Sequence, residues 1–384
     1  MNFIELQVTL SLGVIFLLRM LGIFIIIPVI STHGIFLHDE NKLLIGLAMG
    51  IYGIAQVIFQ FPFGFLSDIF GRKFIMILGL ILILIGNIIS ASIHSIWGLI
   101  IGRFLQGSGA ISGVSMALLS DFVREKNRTK SIGFIGISFA ISFIISMVSG
   151  PIIVQYLGFF SIFWITSFLS LICIIIAFFF IPSSINFFPI KNCSLFNIKL
   201  LNILFNTKLI KYYVSVFYLH FLLMMNFMII PNQLEIHGLS FHEHWKIYLF
   251  TILLSFLIVF LVLFFLKLVF FLEHIIECSI ILFSLSDIMF VYSKNHIFFL
   301  LFGIQIFFIS FNLLEVFLPS YLSKQVRVNY KGSIMSIYST LQFLGIFLGS
   351  LVSGSILHFF NINSISIIEF FIILSWLLIV FLKK

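Results

Sequence analysis

Charge is what this sequence has least of: Asp, Glu, Lys and Arg make up 9% of its 384 residues, while 61% are apolar. A soluble globular domain carries about 25% charged residues, so this composition excludes a soluble enzyme or signalling domain. Cysteine is scarce too, with three in all. Cys173, Cys193 and Cys278 share no spacing of a metal site or a disulfide framework, and they are read as filler. No Gly-rich loop ends in the Lys-Ser/Thr pair that cradles nucleotide phosphates, so ATP does not drive the protein directly and no cofactor is expected. His237, His242 and His244 lie close together without metal-site spacing, and no metal is expected. Before the first apolar run, Met1 to Gln7 contain no Lys or Arg and no cleavage site follows, so that run is read as a retained helix and not as a signal peptide.

What is present is long apolar runs. The 53 Phe residues and abundant Ile are read as compositional bias, since Phe, Ile and Leu serve equally well against lipid. Gly and Pro divide the chain into runs near the ~20 residues that a helix needs to cross about 30 Å of hydrocarbon. In lipid only helices and closed barrels satisfy every backbone polar group, so an all-α membrane protein is predicted. Twelve spans are predicted, at residues 9–30, 41–63, 74–92, 95–120, 131–156, 159–181, 212–233, 245–266, 274–292, 296–321, 333–358 and 364–382. The stretch 182–211 is the longest outside a span, and it is basic.

Short loops rich in Lys and Arg stay cytoplasmic. Of the 21 such residues, Lys42, Lys246 and Lys294 fall on one side, Arg19 and Arg103 lie inside spans, and all others fall on the opposite side. Both termini are therefore expected in the cytoplasm. This bias, with anionic lipid at the inner leaflet, accounts for the net charge of +8 without nucleic acid as a partner.

Weak internal matches recur at one offset. Ile26-Ile27-Pro28 returns as Ile229-Ile230-Pro231, Ser146-x-Val148-Ser149-Gly150 as Ser350-x-Val352-Ser353-Gly354, and the basic loop at 124–130 as that at 324–331. The pattern predicts two pseudo-symmetric six-helix bundles, residues 1–181 and 212–384, joined by a cytoplasmic linker at 182–211. Halves related in this way hold a substrate at the midplane and rock around it.

One charged stretch interrupts the apolar chain, Gly64 to Lys73, predicted as a turn between spans 2 and 3. Its spacing, Gly64-x-x-x-Asp68-x-x-Gly71-Arg72-Lys73, resembles the signature loop of the major facilitator superfamily. Arg103-Phe104-Leu105-Gln106-Gly107-Ser108-Gly109 in span 4 resembles a second motif of that superfamily. Gly150-Pro151, followed by Ile152-Ile153, resembles part of the helix-5 motif of its drug/proton antiporter branch. Leu18-Arg19-Met20-Leu21-Gly22 with Pro28, and the stretch 118–130, look most like a bacterial inner-membrane member that carries a soluble C-terminal domain, which this chain is expected to lack. The second copy of the charged loop, at 267–273, has lost its Gly-Asp-Gly-Arg pattern. The resemblance implies the twelve-helix fold, a bacterial cell inner membrane location, and a monomer that exchanges protons for a small-molecule substrate.

Candidate residues follow. Gly64, Asp68, Gly71, Arg72, Lys73 and Asp121 are expected to form a conformational latch, with Arg72 reaching Asp121 and Asp68 meeting the start of span 11 at Gly332-Ser333. An ionised side chain at a helix centre costs about 2.5–3.5 kcal/mol on insertion scales, so Arg19 and Arg103 point to the interior, and the resemblance places proton coupling near Arg103. Glu315 and Asp287, taken as the only carboxylates well inside spans, are the titrating candidates. His220 is read as a core histidine or a titrating one. Met20, Phe24, Tyr52, Gln56, Gln60, Gln106, Asn226, Gln305, Asn312, Tyr338 and Gln342 are candidates for the substrate path, although such groups also glue helices together. The function expected is proton-coupled efflux of small, moderately apolar compounds by alternating access, with uptake by symport as the alternative. The spans offer neither the carboxylate or histidine cluster of an embedded enzyme nor the repeated ring of a channel.

Overall fold

The computed structural model describes residues 1–33, 41–182, 207–265, 274–293, 296–325, 331–360 and 362–382. The linker core, the reduced second copy of the charged loop, and Cys193 lie outside the described residues. Every regular element among those described is helical: α1 (Phe3–Phe24), α2 (Ile27–His33), α3 (Lys42–Phe70), α4 (Arg72–Ser92), α5 (Ile96–Ser108), α6 (Ser112–Phe122), α7 (Glu125–Leu157) and α8 (Ser161–Phe180) in the first half of the sequence. The second half supplies α9 (Thr207–Ile236), α10 (His244–Phe265), α11 (Ile275–Tyr292), α12 (Ile297–Gln325), α13 (Lys331–Phe359) and α14 (Ile362–Leu382). Among the described residues eleven spans are long and apolar enough to cross a membrane, with α1 and α2 together making the first. The remaining expected crossing, span 4, is present in two pieces, α5 and α6. Largely exposed Phe61, Phe168, Phe250, Phe298 and Phe371 leave apolar surface that water would not tolerate and lipid would cover.

The chain separates into two compact units, Met1–Glu40 with Ile51–Leu195, and Asn41–Gly50 with Phe196–Lys384. In the first, α7 docks on α1 through serines: Ser142 Oγ donates to Leu17 O at 2.7 Å and Ser146 Oγ to Leu21 O at 3.0 Å. Gly150 lets the same helix approach the α1–α2 break, where a Cβ would lie 2.6 Å from Ile25 O. In the second unit α13 packs on α9 through glycine, and a Cβ at Gly345 would lie 2.5 Å from Phe217 O. The first and fifth spans are thus paired in each half, by serine hydroxyls and Gly150 in one and by Gly345 in the other. The repeated prolines differ: Pro28 sits at a break, whereas Pro231 lies inside an uninterrupted α9.

Two expectations about local structure are corrected. The stretch at 64–73 is not an extended turn, because α3 continues to Phe70 and only Gly71 separates it from α4. At φ 102° and ψ 135° Gly71 holds a conformation that side-chain-bearing residues rarely adopt, so one glycine does the work assigned to ten residues. Span 4 is not continuous either. Gly109, at φ −70° and ψ 56°, closes an inverse γ-turn in which Ala110 N donates to Ser108 O at 2.8 Å, and α6 starts afresh at Ser112. Three poor helix formers in a row, Gly107, Ser108 and Gly109, make the break inexpensive at this point.

These geometries separate the glycines by substitution. Gly71→Ala is expected to lower stability by about 1–3 kcal/mol through backbone strain, and Gly150→Ala by a similar ~1–3 kcal/mol through overpacking against the Ile25 carbonyl. Gly64 lies inside α3 with no atom within 4 Å of an added Cβ, so Gly64→Ala is expected to gain about 0.5–1 kcal/mol. Thermal unfolding of the purified protein in detergent checks all three signs.

Candidate functional site

The first unit is built around two guanidinium groups. Arg19 comes from the C-terminal third of α1 and is 6% exposed; Arg103, from α5, is 3% exposed. Arg19 Nη1 donates to Ser112 Oγ at 2.8 Å, at the first residue of α6, and Nη2 donates to Tyr52 Oη at 3.2 Å. Gln56, one turn along α3 from Tyr52, accepts from Arg19 Nη2 and donates to Gly107 O at 3.2 Å when its amide oxygen faces the guanidinium. Arg103 stacks over the Tyr52 ring at 5.0 Å and its Nη1 donates to Gln106 Oε1 at 3.1 Å.

From Gln106 the network continues. Its Nε2 donates to Asn87 Oδ1 at 2.9 Å, Thr166 Oγ1 donates to the same oxygen at 2.9 Å, and Asn87 Nδ2 donates to Ser170 Oγ at 3.1 Å. Arg19, Tyr52, Asn87, Gln106, Thr166 and Ser170 are the polar walls of a small cleft, partly open to solvent; Leu18, Ile23 and Ile83 are its apolar walls. Four of the path and coupling residues named from sequence therefore converge here: Arg19, Tyr52, Gln56 and Gln106, with Arg103 behind them. Asn87, Thr166 and Ser170 were missed. A lone Asn in the Leu/Ile-rich span 3 was the available signal. Met20 and Phe24 do not line this cavity. Phe24 packs edge-on against Phe139 and Phe143 of α7, with ring centroids 5.0 and 5.3 Å away. Gln60 is buried one turn beyond Gln56, with Oε1 unpartnered among the described residues.

The second unit holds buried acidic groups of its own. His220 Nδ1 donates to Val216 O at 3.0 Å, which leaves Nε2 of the neutral ring as an acceptor for Gln342 Nε2 at 2.7 Å. Glu315 Oε2 approaches the same nitrogen to 3.4 Å. With neutral His220 there is no proton between them, and Oε2 has no hydrogen-bond partner among the described residues. One added proton, on either group, would complete the contact. Tyr338 lies within electrostatic reach of Glu315 and its buried hydroxyl is likewise unpartnered among the described residues.

Asp287 was not alone with Glu315, as the sequence reading had it: Glu369 of α14 is a third interior carboxyl. Both are buried, and their carboxyls interact side by side. Asn226 Nδ2 donates to Glu369 Oε1 at 2.9 Å and to Leu222 O at 3.0 Å. Asn312 and Gln305 instead tie α12 to α10, through Ser255 Oγ at 2.6 Å and Thr251 O at 3.3 Å. Those two act as helix glue.

At the α3–α4 corner the charges are fully engaged. Arg72 Nε meets Asp121 Oδ2 at 2.9 Å, as expected, and Arg72 Nη2 lies 3.5 Å from Asp68 Oδ1. Burial raises the Asp121 carboxyl above the usual range, and Arg72 opposes that shift. Lys73 Nζ donates to Phe178 O at 2.7 Å and Ile181 O at 2.6 Å, a cation closing the C-terminal end of α8. Side-chain contacts of Gly332 and Ser333 lie outside the described residues. A second anchor went unnoticed in the sequence: buried Glu5 accepts from Arg124 Nε at 2.7 Å and from Asn127 Nδ2 at 2.9 Å, tying the start of α1 to that of α7.

Comparison with known proteins bears on what such an arrangement serves. The family model of the Major Facilitator Superfamily matches residues 12–276. The chain is 60% identical over 350 residues to the transporter BU466 of Buchnera aphidicola subsp. Acyrthosiphon pisum, covering 91% of this chain and 90% of that one. It is 39% identical over 357 residues to the inner membrane transport protein YajR of Escherichia coli, covering 93% of this chain and 79% of that protein. Among solved structures, a D-xylose-proton symporter superposes with a TM-score of 0.76 at 15% identity, covering 97% of each chain, which speaks for the fold alone. The apolar crossings, the charged α3–α4 corner, the family match over most of the sequence and the transporter relatives converge: the chain belongs to the Major Facilitator Superfamily and is a multi-pass secondary active transporter, not an enzyme.

Proposed function

We propose that this transporter couples the inward movement of protons to the export of small, moderately apolar compounds. It works as a monomer of the bacterial inner membrane with both termini in the cytoplasm. Residues 1–181 and 212–384 form the two halves, 182–211 is the cytoplasmic linker, and the halves alternate access around a midplane site. The observation that carries proton coupling is the contact of Glu315 with His220, 3.4 Å apart and buried, with the ring's other nitrogen committed to Val216 O. Such a pair changes its charge by one when a single proton arrives, in a setting where an uncompensated charge is costly. Asp287 and Glu369 are a second candidate carrier, since both carboxyls are buried and Asn226 engages only one oxygen of Glu369. Arg19 and Arg103 keep their charge throughout; their part in coupling is to bias neighbouring groups, not to carry the proton. The latch formed by Gly64, Asp68, Gly71, Arg72, Lys73 and Asp121 closes the cytoplasmic side. Gly150-Pro151 serves as the close-packed joint between α7 and the α1–α2 break.

Proteoliposomes with an imposed pH gradient test this reading. Gradient-driven flux is expected in the export direction, and flux of the opposite sign would replace export with symport. Glu315→Gln is expected to reduce gradient-driven flux by at least about tenfold, the factor carried by 1.4 kcal/mol, while leaving exchange without a gradient intact. Undiminished gradient-driven flux would remove Glu315 from the coupling route. Asp68→Asn is expected to shift the inward/outward population, read by accessibility labelling of a cysteine placed in the cavity; an unmoved population together with an unmoved rate would sink the latch.

A further inference from the structure

Two buried cations and one helix N-terminus meet in the first unit with no acid among them. The described carboxylates of that unit are Glu5, Asp68, Asp121 and Glu125, and the first three are engaged by Arg124 and Arg72, while Glu125 is exposed at the start of α7. Arg19 and Arg103 make no ion pair among the described residues; their hydrogen bonds go to Ser112, Tyr52, Gln56 and Gln106, which are neutral. The Nε atoms of both guanidiniums are buried and unpartnered among the described residues. The start of α6 adds positive partial charge beside Arg19 through the free N–H groups of its first turn. No side chain caps that terminus, and an added Cβ on Gly113 would meet no atom within 4 Å, so the first turn is open. Neutral acceptors can orient a guanidinium, but they leave its charge uncompensated in a low-dielectric interior.

We propose that the cavity of the first unit binds the anionic head, a carboxylate or phosphate monoester, of a small organic anion whose apolar body lies along Leu18, Ile23 and Ile83. This names the cargo class of the proposed exporter and rests on that reading for the word cargo, whereas binding itself does not depend on it. Tyr52 and Gln56 would hold Arg19 in place for the head group, and Gln106 would hold Arg103.

Isothermal titration of the purified full-length protein with benzoate, phenyl phosphate, benzyl alcohol and benzylammonium tests the claim, because the four share a ring and differ in head-group charge. At least one of the two anions is expected to bind tenfold or more tightly than both the neutral and the cationic analogue. Arg19→Gln is expected to abolish that preference and Arg19→Lys to keep it. Equal binding of all four, or an anion preference unchanged in a monodisperse Arg19→Gln, would overturn the proposal. If Arg19→Gln does not fold, the wild-type preference and its retention in Arg19→Lys decide. Repeating the anion titration with added dioleoyl phosphatidylglycerol separates solute from lipid: undisturbed binding supports a solute site, and competitive loss would assign the site to a lipid headgroup and overturn it. Anion binding without gradient-driven flux would support this site while removing the exporter reading.

Discussion

A guanidinium does not surrender its proton inside a protein, so the charge of Arg19 has to be met by whatever the fold brings to that depth. Insertion of such a charge costs about 2.5–3.5 kcal/mol, and a hydrogen bond to a charged group returns about 1.5–3 kcal/mol. The bonds to Ser112, Tyr52 and Gln56 are therefore of the size needed to hold Arg19 where it is. Each bond also fixes something else. Ser112 sets where α6 restarts, Tyr52 becomes the platform for Arg103, and Gln56 reaches the carbonyl of Gly107 at the end of α5. The restart of α6, the polar stripe of α3 and the platform under Arg103 thus all meet at one charge.

Interior charge is divided between the two units in a way that sequence symmetry does not predict. The first holds Arg19 and Arg103 and no buried acid beside them; the second holds Glu315, Asp287 and Glu369, with His220 as the basic neighbour of Glu315. Low dielectric strengthens uncompensated charges of either sign, so each set is poised for a different visitor. Permanent cations favour an anion. Carboxyls that can be neutralised favour a proton. On the proposed reading, solute and proton use different groups, and the equilibrium at one need not be blocked by occupancy of the other.

The twelve crossings, the paired halves and the α3 stripe of Tyr52 and Gln56 were legible because each is a one-dimensional pattern: a run length, an offset, a four-residue spacing. Arg19 and Arg103 were legible because a charge inside an apolar run has no other reading. What failed was three-dimensional. That Asn312 and Gln305 would meet α10, while Gln342 would meet His220, depends on helix rotation, which sequence spacing alone does not give. Glu369 was passed over because it lies in the first two turns of its span, where an acid reads as a loop residue until its neighbour Asp287 is seen. The break at Gly109 was hidden for a related reason: Gly107-Ser108-Gly109 also reads as a small-residue stripe for close packing, and Gly109 does pack against Gly79 and Ile83.

The charged corner shows why a feature so prominent in sequence can be modest in energy. Arg72 and Asp121 keep 22% and 34% of their side-chain surface exposed, and ion pairs of that kind contribute about 0–1 kcal/mol. A change of about 1 kcal/mol moves a two-state population by only about fivefold. For a structural clamp that would be weak. For the latch proposed above it is a fitting magnitude, since a contact that held one conformation by many kcal/mol would stop an alternating-access cycle. Lys73 has a different position, because its two carbonyl partners end α8, where Gln7 Nε2 also donates to Phe180 O at 3.0 Å, and the helix dipole adds to the attraction. Within ten residues, then, the chain separates a strained glycine that makes the corner, a lysine that anchors it and an arginine pair weak enough to open.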